Sequence, residues 1–319
     1  MSMEFGILAA DAAADGAISA EEVLELRRLG WADGKMEPEE AEALFTANDA
    51  CDAPTSEWCD FFVEALSCFV VDTVEPKGYV DDEMADELIS RIDRDGRVGT
   101  VAELELLVKV CETAINVPEK LKAYVLTQVE AAVVNGDGPT RSGELDPHGI
   151  NLAECILLRR LIFAPASDRP AAVSQREAEM LFRIKDQTLY DVNNPEWEKL
   201  FVQGVANYLL GFGGHEPLST ARAAELEIFM SQQASGIGGF LGRMFTSKPD
   251  FEGAFGSLLD INPNAPDIEA EAAEAAQLTD EESHWLTDLL EADEELDPME
   301  KALLAWIAED TGEMFGVKI

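Results

Sequence analysis

The chain repeats itself, and that constrains its fold more than any other feature. Leu26-Arg27-Arg28-Leu29 returns as Leu158-Arg159-Arg160-Leu161, and Glu40-Ala41-Glu42-Ala43-Leu44-Phe45 returns as Glu177-Ala178-Glu179-Met180-Leu181-Phe182. Glu57-Trp58 followed by Phe61-Phe62-Val63 returns as Glu196-Trp197 followed by Leu200-Phe201-Val202. The order is kept and the offset drifts only from 132 to 139. Two diverged copies of one structural unit are expected. The later part of the first copy has its match further on. Val80-Asp81-Asp82-Glu83, Leu88 and Asp95 align with Leu278-Thr279-Asp280-Glu281, Leu286 and Asp293 at an offset of 198. The second copy is therefore interrupted. The expected organisation is one unit over 1–135, a second over 136–213 and 278–319, and an insertion over 214–277.

What each unit folds into is written in its helix starts. A Ser, Thr, Asn or Asp with Glu three residues later forms a capping box, in which each side chain satisfies an orphan N–H of the first turn. Ser19…Glu22, Thr100…Glu103, Asn151…Glu154, Ser174…Glu177 and Thr279…Glu282 have this form. Asp297-Pro298-Met299-Glu300 and Asn194-Pro195-Glu196 place proline at the first helical position, where its missing N–H costs nothing. Apolar residues follow at helical spacing, as in Leu104, Leu107, Val108 and Cys111. Period-2 alternation of β-branched residues is scarce. The expectation is an all-α protein of about a dozen helices with essentially no sheet.

The insertion reads differently. It holds the run Gly236-Ile237-Gly238-Gly239-Phe240-Leu241-Gly242, then Asn262-Pro263-Asn264-Ala265-Pro266 and an Ala/Glu tract, which together suggest a flexible linker around one helix near 219–233. No strand precedes the glycines and no Gly-Lys-Ser/Thr follows, so they are not a phosphate cradle. Phe240, Leu241, Arg243, Met244 and Phe245 form an apolar and basic patch. Two roles are open to it: docking onto the chain's own acidic surface, or recognition of another protein.

Charge narrows the partners. With 64 acidic and 23 basic residues the net charge is −41, yet 47% of residues are hydrophobic, enough to build a core. Such a field repels DNA, RNA and anionic lipid and attracts cations, basic proteins and basic peptides. No stretch has the roughly 18 apolar residues of a membrane span. The N-terminus, MSMEFGILAADAAADG, lacks the basic start and apolar core of a secretory signal. Five unclustered cysteines lack the spacing of a zinc site and are expected to be reduced, as in a cytoplasm.

One loop pattern remains: Asp, often Gly, an apolar residue, then Glu opening the next helix. It occurs as Asp15-Gly16-Ala17-Ile18…Glu22, Asp33-Gly34-Lys35-Met36…Glu40, Asp95-Gly96-Arg97-Val98…Glu103 and, without glycine, Asp293-Glu294-Glu295-Leu296…Glu300. In this pattern the chain resembles the tellurite-resistance TerB-like family of acidic all-helical domains. The resemblance implies tandem helical domains, metal binding and a part in stress-response complexes. Asp11 to Glu22 also resembles a calcium EF-hand loop. Asp11, Asp15, Ser19 and Glu22 stand at ligand positions 1, 5, 9 and 12 with Gly16 at 6, whereas Ala13 removes the ligand at 3. Leu29 and Arg91 occupy position 1 of the second and third loops, so neither follows the scheme. The competing explanation for every one of these residues is turn and cap chemistry. Calcium or another divalent cation at Asp11, Asp15, Ser19 and Glu22 is the metal expectation, with Asp33, Glu40, Asp95, Glu103, Asp293 and Glu300 as secondary acidic positions.

His148, His215 and His284 sit in no catalytic motif, and no nucleophile elbow, P-loop or HExxH is present. Trp58 and Trp197 are expected to anchor the core of each unit. Arg27, Arg28, Arg159 and Arg160 are expected to pair with carboxylates. The functional expectation is a non-enzymatic acidic module that binds a divalent cation or a basic protein. The alternative is a nucleic-acid mimic that binds a basic protein without metal.

Overall fold

The caps close where the sequence puts them. In the computed structural model, residues 2–30, 35–73, 75–136, 138–140, 143–167, 173–209, 280–290 and 296–311 are described. These contain twelve helices: α1 Ser2–Ala12, α2 Ala20–Gly30, α3 Pro38–Asp49, α4 Ser56–Asp72, α5 Asp82–Ile92, α6 Val101–Thr113, α7 Glu119–Asn135, α8 Leu152–Ile162, α9 Gln175–Thr188, α10 Pro195–Leu209, α11 Asp280–Leu290 and α12 Pro298–Thr311. Ser19 N donates to Glu22 Oε2 at 2.8 Å, Thr100 N to Glu103 Oε2 at 2.8 Å, and Asn151 N to Glu154 Oε2 at 2.7 Å. Ser174 N and Asp297 N donate likewise to Glu177 and Glu300. The sequence reading missed one such start: Glu37 N donates to Glu40 Oε2, with Pro38 opening α3. Thr279 lies outside the described residues, as does the whole insertion with Phe240, Leu241, Arg243, Met244 and Phe245.

Sheet is small but present. β1 Asp93–Arg94 pairs with β2 Arg97–Val98, and β3 Gly138–Thr140 pairs with β4 Gly143–Leu145, both antiparallel. The first hairpin follows from a dipeptide read above only as a turn. Asp95 and Gly96 both have positive φ (55° and 87°), the backbone of the two-residue hairpin turn for which Asp-Gly is favoured. Buried Gln128 of α7 clamps it, its Oε1 accepting from Val98 N and its Nε2 donating to Gly96 O.

The same contacts occur twice. Trp58 and Trp197 are fully buried at the starts of α4 and α10, and each packs on a phenylalanine one turn on, Phe62 or Phe201. Phe45 meets Phe62 edge-on at 5.6 Å, and Phe182 meets Phe201 edge-on at 5.0 Å. The carbonyl of buried Ile18 accepts from the Thr55 hydroxyl, and that of buried Ile150 accepts from the backbone N–H of Asn194. Arg91 of α5 grips Glu42 and Phe45, while Trp285 of α11 grips Glu179 and Phe182. α1 covers α2 and α3, as α7 covers α8 and α9.

The halves join through arginines on one side and glutamates on the other. Arg160 of α8 reaches Glu105 and Glu112 of α6, each at 2.8 Å, and Arg183 of α9 grips Glu130 of α7 with two parallel bonds. Arg176 pairs with Glu119. Arg27 pairs with Glu64 at 2.7 Å as expected. Two of the four expected arginine–carboxylate pairs are corrected. Arg159 donates to the Gln203 amide, because glutamine stands where the first half has Glu64. Arg28 is exposed and forms no ion pair among the described residues, because no helix covers α2 where α6 covers α8.

Candidate functional site

The loop from Asp11 to Glu22 uses most of its side-chain oxygens locally. Asp11 lies in the last turn of α1, Ala13 faces the core, and Gly16 has φ +83°. Asp15 Oδ1 accepts from Ala17 N, and Glu22 Oε2 accepts from both Ser19 N and Ser19 Oγ, at 2.8 and 2.7 Å. Among the described residues Asp11, Asp15 and Glu22 do not bring ligand oxygens to one point. The secondary positions divide. Glu40, Glu103 and Glu300 are buried and cap their own helices, and Asp95 forms the hairpin turn. Asp33 and Asp293 lie outside the described residues.

The described residues do contain one group of carboxylates whose oxygens lie within 4.8 Å of one another: Asp186, Asp297 and Glu300. A cation already stands among them. The ammonium of Lys185, 1% exposed, is 2.6 Å from Asp297 Oδ2, 2.6 Å from Glu300 Oε1 and 2.8 Å from Asp186 Oδ1. Burial works to lower the pKa of an ammonium, but the hydrogen bonds that Lys185 donates to Asp186, Asp297 and Glu300 outweigh it and hold Lys185 above an ordinary lysine. The corresponding place in the first half is neutral. Buried Asn48 donates to Thr100 Oγ1 at 3.0 Å, and its Oδ1 accepts from Trp58 Nε1 at 3.1 Å. Lysine cannot accept, and Trp197 Nε1 is accordingly buried without a hydrogen-bond partner. The offset of 137 that joins Glu40 to Glu177 also sets Asn48 against Lys185, a signal that the motifs alone did not carry.

A cleft of about 670 Å³ opens between α1, α3 and the loops at 13–16 and 50–52. Its walls are small: Gly6 and Ala10 of α1 face Ala43 and Ala47 of α3. Its rim is acidic, formed by Asp15, Glu39, Glu42 and Asp52, all exposed. Glu42 is paired with Arg91, whereas Asp15, Glu39 and Asp52 have no ion pair among the described residues. Asp52 is held beside Gly16 because Asp52 N and Ala53 N both donate to the Gly16 carbonyl. The Asp-Gly loop thus lines the cleft, although its first residue, Asp11, does not.

Other reactive groups are quiet. All five cysteines are free. Burial pushes the Cys59 thiol up to about 11 and the Cys155 thiol up to about 12, so neither is a thiolate near neutral pH. His148 is exposed in a turn beside Asp146, and His284 is exposed on α11. No described helix is long and apolar enough to cross a membrane. No family model, curated protein or solved structure matches the chain.

Proposed function

We propose that this chain is a non-enzymatic acidic binding module whose α1–α3 cleft receives a basic segment of another protein. The observation that carries this is the pairing of an apolar, small-residue floor with a rim of carboxylates, three of which have no ion pair among the described residues. A basic segment with apolar side chains gains buried area from the floor and charge-assisted hydrogen bonds from the rim. A net charge of −41 steers such a partner and speeds its encounter. The same reading takes the chain as two diverged copies of one helical unit, supported by the recurring contacts of Trp58 and Trp197. It places the module in a reducing cytoplasm, supported by the five free thiols.

The test is fluorescence anisotropy of labelled basic peptides against the full chain and an E39K/D52K variant. Saturable binding that weakens with salt and is lost in the variant is expected. Equal binding to both proteins sinks the reading. Calorimetry with calcium decides the rival cation reading, which requires saturable heat that disappears in D15N.

A further inference from the structure

The buried lysine between α9 and α12 stands in the geometry of a bond-forming site. Lys185 Nζ is 2.6 Å from Asp297 Oδ2 and 2.6 Å from Glu300 Oε1, and none of the three side chains is more than 7% exposed. The other oxygen of Asp297, Oδ1, accepts from the backbone N–H groups of Met299 and Glu300 at 2.7 and 2.9 Å, in the first turn of α12. Two such donors at the positive end of a helix are what an oxygen needs to carry the charge of a tetrahedral intermediate. The Phe182 ring, 5.3 Å from Nζ, adds an apolar wall. Cap chemistry accounts for Asp297 and Glu300, but not for an amine brought in from α9. Nor is a charge needed to close this junction. At the matching positions between α3 and α6, Asn48 and Thr100 close it with one neutral hydrogen bond and offer neither an amine nor a carboxyl group.

We propose that Lys185 and Asp297 condense into an amide, a covalent cross-link that the folded chain forms on itself between α9 and the start of α12. The ion pair is the reacting state, and it already holds every atom the step requires. One ammonium proton passes through Glu300 Oε1 to Asp297 Oδ2, leaving an amine against a carboxylic acid. The nitrogen lone pair attacks Cγ, and Oδ1 takes the negative charge under the N–H groups of Met299 and Glu300. A second proton moves from the nitrogen through Glu300 to Oδ2, the Cγ–Oδ2 bond breaks, and water leaves. The new Cγ–Nζ bond keeps one proton on nitrogen, Glu300 ends as the carboxylate it began as, and nothing is oxidised or reduced. Holding amine and acid in contact replaces a collision between separate molecules, a gain equivalent to roughly 10⁵ M or more of one reactant. Asp186, whose side chain is 56% exposed, marks the open side by which the water departs. The bond ties together residues 112 positions apart, on either side of the 214–277 insertion. It is independent of the cleft and of any partner.

The experiment is intact-mass spectrometry of the purified full chain after overnight incubation, folded in buffer or unfolded in guanidinium, followed by peptide mapping. The expected result for the folded chain is a mass lower by one water, with the tryptic peptide holding Lys185 joined to the one holding Asp297. The unfolded chain should keep its full mass. K185M removes the nucleophile and should show the full mass. E300Q keeps a side chain that can cap α12 but removes the proton carrier, and should show the full mass with an unchanged helical circular-dichroism spectrum. D297N leaves the carbon open to attack with ammonia as the leaving group, so a cross-linked D297N should be lighter by one ammonia. A folded parent chain of full mass overturns the proposal. So does a one-water deficit that persists in K185M, which marks imide formation at an Asp-Gly step instead. Cross-linking of E300Q as complete as that of the parent overturns the role given to Glu300.

Discussion

Replacing Lys185 with methionine keeps the length of the side chain and removes its charge. Asp297 and Glu300 are then left buried around a neutral thioether. Removing one partner of a buried ion pair costs about 3–5 kcal/mol, because the remaining charge has neither water nor counter-ion. At roughly 2–4 °C per kcal/mol the melting temperature falls by about 6–20 °C. The diagnostic comparison is K185N/D297T, which imports the neutral set of the first half. The introduced asparagine and threonine stand in for Asn48 and Thr100, Glu300 keeps its place at the start of α12, and Trp197 Nε1 gains the acceptor that Trp58 already has. Urea titration followed by tryptophan fluorescence should show the double variant recovering at least half of what K185M loses. A K185M cost under about 1 kcal/mol refutes the buried-charge account. A double variant less stable than K185M refutes the structural equivalence of the two sites.

Other variants separate buried from exposed charge. Arg160→Met removes the guanidinium bound to buried Glu105 and should cost about 3–5 kcal/mol by urea denaturation. Arg27→Met removes a pair whose side chains are 32% and 50% exposed and should cost under about 1 kcal/mol in the same assay. Thr100→Ala deletes the cap of α6 and the hydroxyl that Asn48 donates to, with an expected loss of about 1–2 kcal/mol. Burial holds the Glu154 carboxyl above an ordinary glutamate, against the hydrogen bonds from Asp146 N and Asn151 N. The folded chain then binds that proton more tightly than the unfolded chain, so stability falls as pH rises from the ordinary glutamate value through the raised one. Thermal melts at pH values rising from the ordinary glutamate range should show this slope, and E154Q should make it shallower, leaving the share of Glu103, which burial raises in the same way. An unchanged slope removes Glu154 as a contributor.

How far the sequence could be read differs by level. Helix starts were legible because a capping box is local: Asn151 and Glu154 are three residues apart and need no tertiary partner. The β1–β2 hairpin was legible too, in Asp95-Gly96, but the preponderance of helical spacing hid a two-residue ladder that Gln128 holds from 30 residues away. The capping role of Glu22 and its calcium role draw on one and the same carboxylate, and its bonds to Ser19 show the cap formed. The cleft was not legible. Alanines at 10, 43 and 47 look like ordinary helix formers until α1 lies across α3.

Sequence by itself determined most of the helix starts and the burial of Trp58 and Trp197, since propensity and capping depend on residues close in the chain. Only the tertiary structure decided that Lys185, Asp297 and Glu300 share one buried cluster from positions 112 and 115 residues apart. It likewise decided that Gly6 and Ala10 of α1 meet Ala43 and Ala47 of α3 along one cleft. Charge pairing and cavity volume are properties of packed surfaces, and those exist only once distant helices meet.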